Sequence, residues 1–417
     1  MRVAILGSGQ QAQGALQYLS DKKVKITVVD QDIEQAKKLV DLYNNYHEYG
    51  DGDNLWTNEG EVLTWHGITA AGLDASNEGE LTLFLQDYEA AFNALPYSLS
   101  LTATKAAIAA KCNLVDLGGN SKIVEQQLAL SDQADRQGVT IIPDCGLAPG
   151  LVSLLTADAV EDPLFSRIDS VKIYVGGLPL EPKKAGPLEY TPVFSFAGLI
   201  NEYVEPVRAL RNGKLVELQP LTELENIHFS SSSRTWAELE AFTTSGGAST
   251  LPETFQGRVA NLEYKTLRFP GHWKALQLLK SMDSFNVETF KKLCPPGLRD
   301  QIFVKVVADG YTPTEAKIKR TYLIHETGNN GSTRDSWREA DPDAPEDPHH
   351  SISAMMKCTA YPAAIILMML GNSDLRIPHG VHRQEHIINP RHVMKMLTKR
   401  GVRIEIKDDI EHDPRSF

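Results

Sequence analysis

The sequence predicts an α/β chain: a doubly wound parallel sheet, then a second α+β domain with a mostly antiparallel sheet. Two patterns carry this expectation. Over residues 1–150, short apolar runs alternate with amphipathic stretches, as in buried parallel strands joined by crossover helices. After Gly150 the apolar residues recur at every second position, which suits strands with one solvated face. Length agrees, since 417 residues at about 150 per domain allow two or three domains.

Val3-Ala4-Ile5-Leu6 is a continuous apolar run and reads as a central strand, closed by Gly7-Ser8-Gly9. A helix is expected from Gln10 to Ser20, a second strand over Lys25 to Asp30, and a second helix from Gln31 to Tyr43 with Ile33, Ala36, Leu39, Val40 and Tyr43 on one stripe. Residues 44–66 are polar, carry Trp56 and Trp65, and read as an insertion outside the core. Further strands are expected to end at Phe92 to Pro96, Leu114 to Gly119 and Val139 to Pro143, with helices at 104–111 and 124–137. Beyond Gly150 come a helix (151–159) and alternating segments at 171–175, 215–218, 264–268, 302–307 and 320–324. Residues 340–350 form an acidic, proline-rich loop. An apolar helix (351–370) follows, read as core or dimer packing, and then a helix (390–400) and a short strand (402–406). The expected domains are 1–150, 151–345, and a C-terminal segment, 346–417, that returns to the first.

Composition excludes several classes. The 42 Lys+Arg against 54 Asp+Glu give a net charge of -12, which disfavours a nucleic-acid partner. The longest apolar run, Pro362 to Leu370, is too short for a membrane span. The stretch after Arg2 is too short for a secretion signal, and four scattered cysteines without a CxxC pair fit a reducing compartment, so a cytoplasmic protein without a metal is expected. His379, His382, His386 and His392 read as surface residues rather than ligands.

Gly7-Ser8-Gly9-Gln10-Gln11-Ala12 matches the G-x-G-x-x-G/A dinucleotide fingerprint of a Rossmann domain. The first glycine makes the turn, the second admits a pyrophosphate to the backbone, and the small third residue lets helix and strand pack. The helix N-terminus offers N–H groups to the anion. Asp30, ending the next strand, suits an adenosine ribose 2′-OH and repels a 2′-phosphate; Gln31 and Asp32 follow it, with no arginine. The expected cofactor is NAD. Its binding set is Gly7, Ser8, Gly9, Gln10, Gln11, Asp30, Gln31, Asp74, Leu95, Pro96, Tyr97 and Gly118, taken from the fingerprint and the ends of successive strands. The default substrate site is a cleft between domains.

Ala94-Leu95-Pro96-Tyr97, Val115-Asp116-Leu117-Gly118-Gly119-Asn120, Pro143-Asp144-Cys145-Gly146-Leu147-Ala148-Pro149-Gly150, Phe242-Thr243-Thr244-Ser245-Gly246-Gly247, Arg268-Phe269-Pro270-Gly271-His272 and Cys358-Thr359-Ala360-Tyr361-Pro362 together resemble the saccharopine dehydrogenase-like family. More narrowly, they resemble its lysine 6-dehydrogenase branch. Saccharopine reductases carry aspartates at the places held here by Ala148 and Val152, which argues against saccharopine as substrate. The resemblance implies oxidative deamination of the lysine ε-amino group with NAD, giving allysine, which cyclises to a piperideine carboxylate.

Hydride leaves the carbon only if the attached amine is neutral, so a group must take a proton from the ammonium. Candidates for the chemistry are Asp116, Asp144, Cys145 and His272. Each also has a bland reading: a loop cap, a turn acceptor, a small buried hydrophobe and a turn donor, respectively. Thr243, Thr244, Ser245 and Gly246 offer hydroxyls and N–H groups to a substrate carboxylate, Glu202 and Tyr203 suit an ammonium, and Asn120 completes the substrate set. Two competitors stand beside this reading: a saccharopine- or opine-type secondary-amine dehydrogenase, and a relative that binds NAD without turnover. The expected partners are a small amino-acid substrate and a second copy of the chain in a homodimer, the latter from an open sheet edge.

Overall fold

The computed structural model describes residues 1–49, 54–56, 62–64, 67–232, 235–297, 299–328, 352–372 and 375–411. The chain forms two compact units. The first is Met1–Gly150 with Gly328–Ile388, the second Leu151–Thr327 with Asn389–Phe417.

In the first unit β1 (Arg2–Leu6), β2 (Lys25–Asp30), β5 (Ile68–Gly72), β6 (Ala90–Asn93), β7 (Asn113–Asp116) and β8 (Thr140–Ile142) lie in one sheet, while β3 (Asn54–Trp56) and β4 (Val62–Thr64) pair only with each other. The sheet is parallel throughout, as the apolar runs predict, and its interior strands are covered on both faces. Its alanine-rich core (Ala91, Ala103, Ala106, Ala107, Ala110) lets crossover helices approach closely. The helix after Asp30 continues to Tyr49 rather than stopping at Tyr43, and Asn44 is bound through its amide to Ile68 N and O, so the first residues of the expected insertion belong to the core edge. Most of that insertion, and the acidic loop at 340–350, lie outside the described residues.

The second unit starts with the helix Leu151–Glu161 and continues through β9 (Arg167–Pro179), β10 (Val207–Arg211), β11 (Lys214–Leu218), β12 (Glu225–Ser230), β13 (Trp236–Thr243), β14 (Val259–Arg268), β15 (Asp300–Tyr311) and β16 (Lys317–Thr327). Among the described residues its sheet has nine strands, antiparallel except where β9 meets β14. Strands β10, β12 and β13 were not anticipated: β12 has only Ile227 and Phe229 as apolar residues, and in β10 and β13 apolar and charged residues do not keep a strict period of two.

The C-terminal segment departs from expectation. It re-enters the first unit as the helix Ala354–Leu370 and as β17 (Gly380–Val381), which pairs with β8. It then leaves: the helix Pro390–Lys399 and β18 (Ile404–Ile410) belong to the second unit, where β18 pairs with β16 in register from Ile318↔Ile410 to Ile324↔Ile404. The apolar helix packs within the first unit against the helix Gln10–Leu19. Gly14 makes room there, since a Cβ at that position would lie 2.8 Å from the Ala360 Cβ, and Tyr18 and Tyr361 meet one turn further on.

Candidate functional site

The first cluster lies at the carboxyl ends of β1, β2 and β6. Gly7 has φ +94°, and a Cβ there would press on the Ala94 carbonyl at 3.2 Å. Gly9 begins the helix without a side-chain cap, and the space over its Cα is open, so the first N–H groups of the helix remain available to an anion. Ala12 is fully buried where helix meets strand. Asp30 is held firmly: Oδ2 accepts from Ser8 N at 2.9 Å and Ser8 Oγ at 2.7 Å, and Oδ1 accepts from Asp32 N at 3.0 Å. In the first helical turn, beside Gln10, Gln11 Oε1 is buried and has no partner among the described residues. These features fit a dinucleotide. Leu95 N donates to Asn93 Oδ1, Pro96 and Tyr97 open a short 3₁₀ turn, and the Tyr97 ring adjoins Gly119. Gln31 is exposed in the bend after Asp30, and Asp74, also exposed, is held below the usual carboxylate range by Ser76.

A second cluster joins β7, β8 and the returning segment of the same unit. The wholly buried Asp116 carboxylate accepts from Gly118 N at 2.8 Å, Asp144 N at 3.1 Å and Gln127 Nε2 at 2.5 Å, and Gln127 also donates to Thr104 Oγ1. Burial nevertheless pushes the pKa of Asp116 up. The geometry makes Asp116 a clamp on the loop. Asp144 has φ +60°, and Gln384 donates to its carbonyl. Gly118 must be glycine because a Cβ would overlap Asp144 Oδ1 at 1.9 Å. Cys145 is fully buried, and burial, with Asp116, Asp144 and Glu385 nearby, holds its thiol far above the usual range. A thiol kept neutral is no nucleophile, so the catalytic reading of Cys145 gives way to a structural one. Asn120 spends its side-chain oxygen capping the helix Ser121–Leu128.

The third cluster lies in the second unit. Arg268, ending β14, is 3% exposed. Its Nε donates to Tyr203 Oη at 3.1 Å, its Nη1 to Thr266 Oγ1 at 2.7 Å and to the Leu267 carbonyl at 2.9 Å, and its guanidinium lies 4.7 Å from the Tyr190 ring centre. Its Nη2 is 3.8 Å from Glu202 Oε2, and the Glu202 side chain is 26% exposed. Burial, opposed by Arg268, raises the Glu202 pKa to about 7. His272 is 4% exposed and stands between Leu188 O, 2.8 Å from Nδ1, and Tyr203 Oη, 3.4 Å from Nε2. Burial and Arg268 lower its pKa to about 3. Burial thus favours the neutral imidazole, and both ring nitrogens are engaged with protein groups, so the geometry gives His272 a place in the hydrogen bonding of the cluster rather than the turn-donor reading.

Tyr203 is fully buried among Phe242, Phe285 and Phe290, so it holds Arg268 and His272 rather than an ammonium. Thr243 is likewise structural: its hydroxyl accepts from Thr222 N and donates to Gln219 O. Ser245 ties the Glu202 and Asn201 carbonyls to this loop. Thr244 Oγ1 is buried and has no partner among the described residues, and Gly246 (φ +87°) has open space over its Cα. Gly247 carries the Tyr264 ring, which a Cβ would penetrate at 2.1 Å. Sequence reasoning missed Arg268 as a site residue; in an alternating strand that also carries Glu263 and Lys265, one more cation gives no local signal.

Among the described residues no group of His, Cys, Asp and Glu is arranged to hold a metal, and no helix is long and apolar enough to cross a membrane.

Fold and turn together define a two-unit α/β chain built to bind a dinucleotide. Models of the saccharopine dehydrogenase NADP binding domain and the saccharopine dehydrogenase C-terminal domain match residues 3–142 and 146–402. The chain belongs to the saccharopine dehydrogenase family. It is 25% identical over 298 residues to the mitochondrial alpha-aminoadipic semialdehyde synthase of Mus musculus, covering 70% of this chain and 29% of that one. It is 24% identical over 218 residues to the saccharopine dehydrogenase [NADP(+), L-glutamate-forming] of Pyricularia oryzae, covering 52% and 43%. The matched stretches thus span less than half of these relatives. Apo saccharopine dehydrogenase (L-Glu forming) from Saccharomyces cerevisiae shares the fold at a TM-score of 0.74 and 16% identity, over 98% of this chain and 99% of that one. The homospermidine synthase of Legionella pneumophila in complex with NAD does so at 0.64 and 12%, over 100% and 93%.

Proposed function

We propose that the chain is an NAD-dependent oxidoreductase that oxidises the primary amine of an amino acid, with the ε-amino group of L-lysine as the expected target. The observation that carries the substrate half is Glu202, a half-buried carboxylate beside the buried Arg268 and tied through the Ser245 loop to the unpartnered Thr244 hydroxyl. Such a carboxylate suits an ammonium, and a buried hydroxyl suits a carboxylate oxygen. The cofactor half rests on Asp30, whose fixed charge, with Asp32 next to it, favours a 2′-OH over a 2′-phosphate. NAD is therefore preferred here although the matching domain model is named for NADP.

Bound NAD supplies the hydride acceptor. The residues of the chain bind the two substrate charges and free the amine of its proton, and water then releases the aldehyde and ammonium. The test is reduction of NAD, and separately NADP, by purified protein with L-lysine alone at alkaline pH. Turnover with NAD supports the reading. No turnover with lysine, ornithine or related diamino acids sinks it.

A second reading, a saccharopine-type secondary-amine dehydrogenase, is favoured by the names of the relatives. Ala148 and Val152 speak against it. Oxidation of reduced cofactor only when an amino acid and a carbonyl partner are both present, lysine with an oxo acid or glutamate with an aldehyde, would establish it.

A further inference from the structure

Glu202 faces few ionisable groups, and they come from three segments of the second unit. Tyr203 is its neighbour on the same helix, Arg268 and Tyr264 lie on β14, and Tyr190 precedes that helix. Burial pushes all three phenols up, so they stay neutral, and Arg268 is the charge that acts on Glu202.

The hydrogen atoms around Arg268 can be placed by elimination. Leu188 O is a carbonyl and only accepts, so His272 Nδ1 carries a hydrogen. The ring is neutral, so Nε2 has none and must accept. Tyr203 O–H therefore donates to Nε2, which turns the phenol oxygen towards Arg268 as acceptor for Nε–H. With Nε and Nη1 committed, Nη2 is left to face Glu202. The backbone of His272 is fixed as well, since the Glu240 carboxylate accepts from Gly271 N at 2.9 Å and from Trp273 N at the start of the helix His272–Ser281. The chain Leu188–His272–Tyr203–Arg268 runs one way and ends at Glu202.

We propose that Glu202 takes the proton from the substrate ammonium, and that the Leu188–His272–Tyr203–Arg268 chain positions the counter-charge that keeps Glu202 able to do so. This rests on the amine-oxidising reading above. In the step, the Glu202 carboxylate gains one proton and becomes a carboxylic acid, and the ammonium becomes a neutral amine. The carbon then gives a hydride to NAD and leaves an iminium, which one water converts to aldehyde and ammonium. Glu202 returns its proton to solvent through its exposed edge. A carboxylate that titrates near neutrality is a far better acceptor than one at its ordinary value.

Two variants test this. Glu202→Gln keeps shape and removes the acceptor; kcat should fall about 100-fold, and the acid limb of the pH profile should vanish. Tyr203→Phe removes one oxygen and keeps the ring packing. Arg268 then loses its guide, Glu202 loses part of its counter-charge, and its titration should move up by about one pH unit. That titration is read without turnover, by carbon-13 NMR on carboxyl-labelled glutamate, with Glu202→Gln assigning the signal. A purely structural Tyr203 would lower Tm and leave the titration in place, which would overturn the relay. Full activity and an unchanged acid limb in Glu202→Gln, with lysine still oxidised by the unaltered protein, would overturn the proton acceptor while the reaction stands. No amine oxidation by the unaltered protein would sink the reaction itself and Glu202's part in it.

Discussion

The dinucleotide turn and the Arg268 cluster solve opposite problems. The turn is built within one stretch, residues 7–12, and closed by a carboxylate only 22 positions away. Its helix N-terminus is uncapped and leaves backbone N–H groups to spare. The cluster draws Leu188, Glu202, Tyr203, Glu240, Arg268 and His272 from five separate segments, and almost every polar atom in it is committed to another. A site made of local backbone can lose a side chain and stay folded, whereas a buried polar network has no such slack.

The contrast predicts where a variant does its damage. The largest effect is expected from Arg268→Met, which breaks hydrogen bonds to Tyr203, Thr266 and Leu267 and strips Glu202 of its partner. Unfolding in urea should show a loss of about 2–4 kcal/mol; a loss below about half of one would mean that the cluster is as tolerant as the turn.

Next comes the pH dependence of stability. His272 has a folded pKa of about 3 against its ordinary 6.5. Below 6.5 the unfolded chain therefore binds a proton that the folded chain refuses, and this contribution is lost progressively as pH falls from 6.5 towards 3. At pH 5 the loss is about 2 kcal/mol. The check compares the protein with His272→Gln at pH 7 and pH 5: the unaltered protein should lose more stability between the two. Equal slopes would show that the imidazole is not held neutral.

The smallest structural effect belongs to the turn. Asp30→Ala should weaken NAD about tenfold, leave NADP unweakened, and change unfolding by less than about 1 kcal/mol. A variant that unfolds instead would erase the distinction between the two regions.

Legibility in the sequence follows the same division. The parallel sheet, the turn and Asp30 were readable because their signals are contiguous: an apolar run, two glycines, an acid at the next strand end. The second domain was recognisable by its alternation, although three of its strands, whose apolar residues are few or break the period of two, were not. The cluster showed only its pieces. Glu202 was flagged for an ammonium, the part proposed for it above, whereas Tyr203 and His272 were given other parts, since no local pattern reveals that Tyr203 is sealed under three phenylalanines or that an imidazole is locked between a carbonyl and a phenol. Strand β17 is two residues long and has no period at all. The destination of the last 29 residues depends on pairing with β16, which alternation alone does not specify.

That destination has a practical corollary. The polypeptide passes from one unit to the other after Gly150, Thr327 and Ile388. Severing it after Gly150, as a naive reading of the glycine-rich loop would suggest, yields an N-terminal fragment without the Ala354–Leu370 helix that covers Gly14 and without its outer strand β17. The N-terminal fragment is therefore not a complete folding unit, whereas the C-terminal one keeps every residue of the second unit and carries Gly328–Ile388 in addition. The shortest autonomous version of the dinucleotide module needs residues 1–150 spliced to a stretch ending near 388, and limited proteolysis at the first passage alone should leave both halves associated.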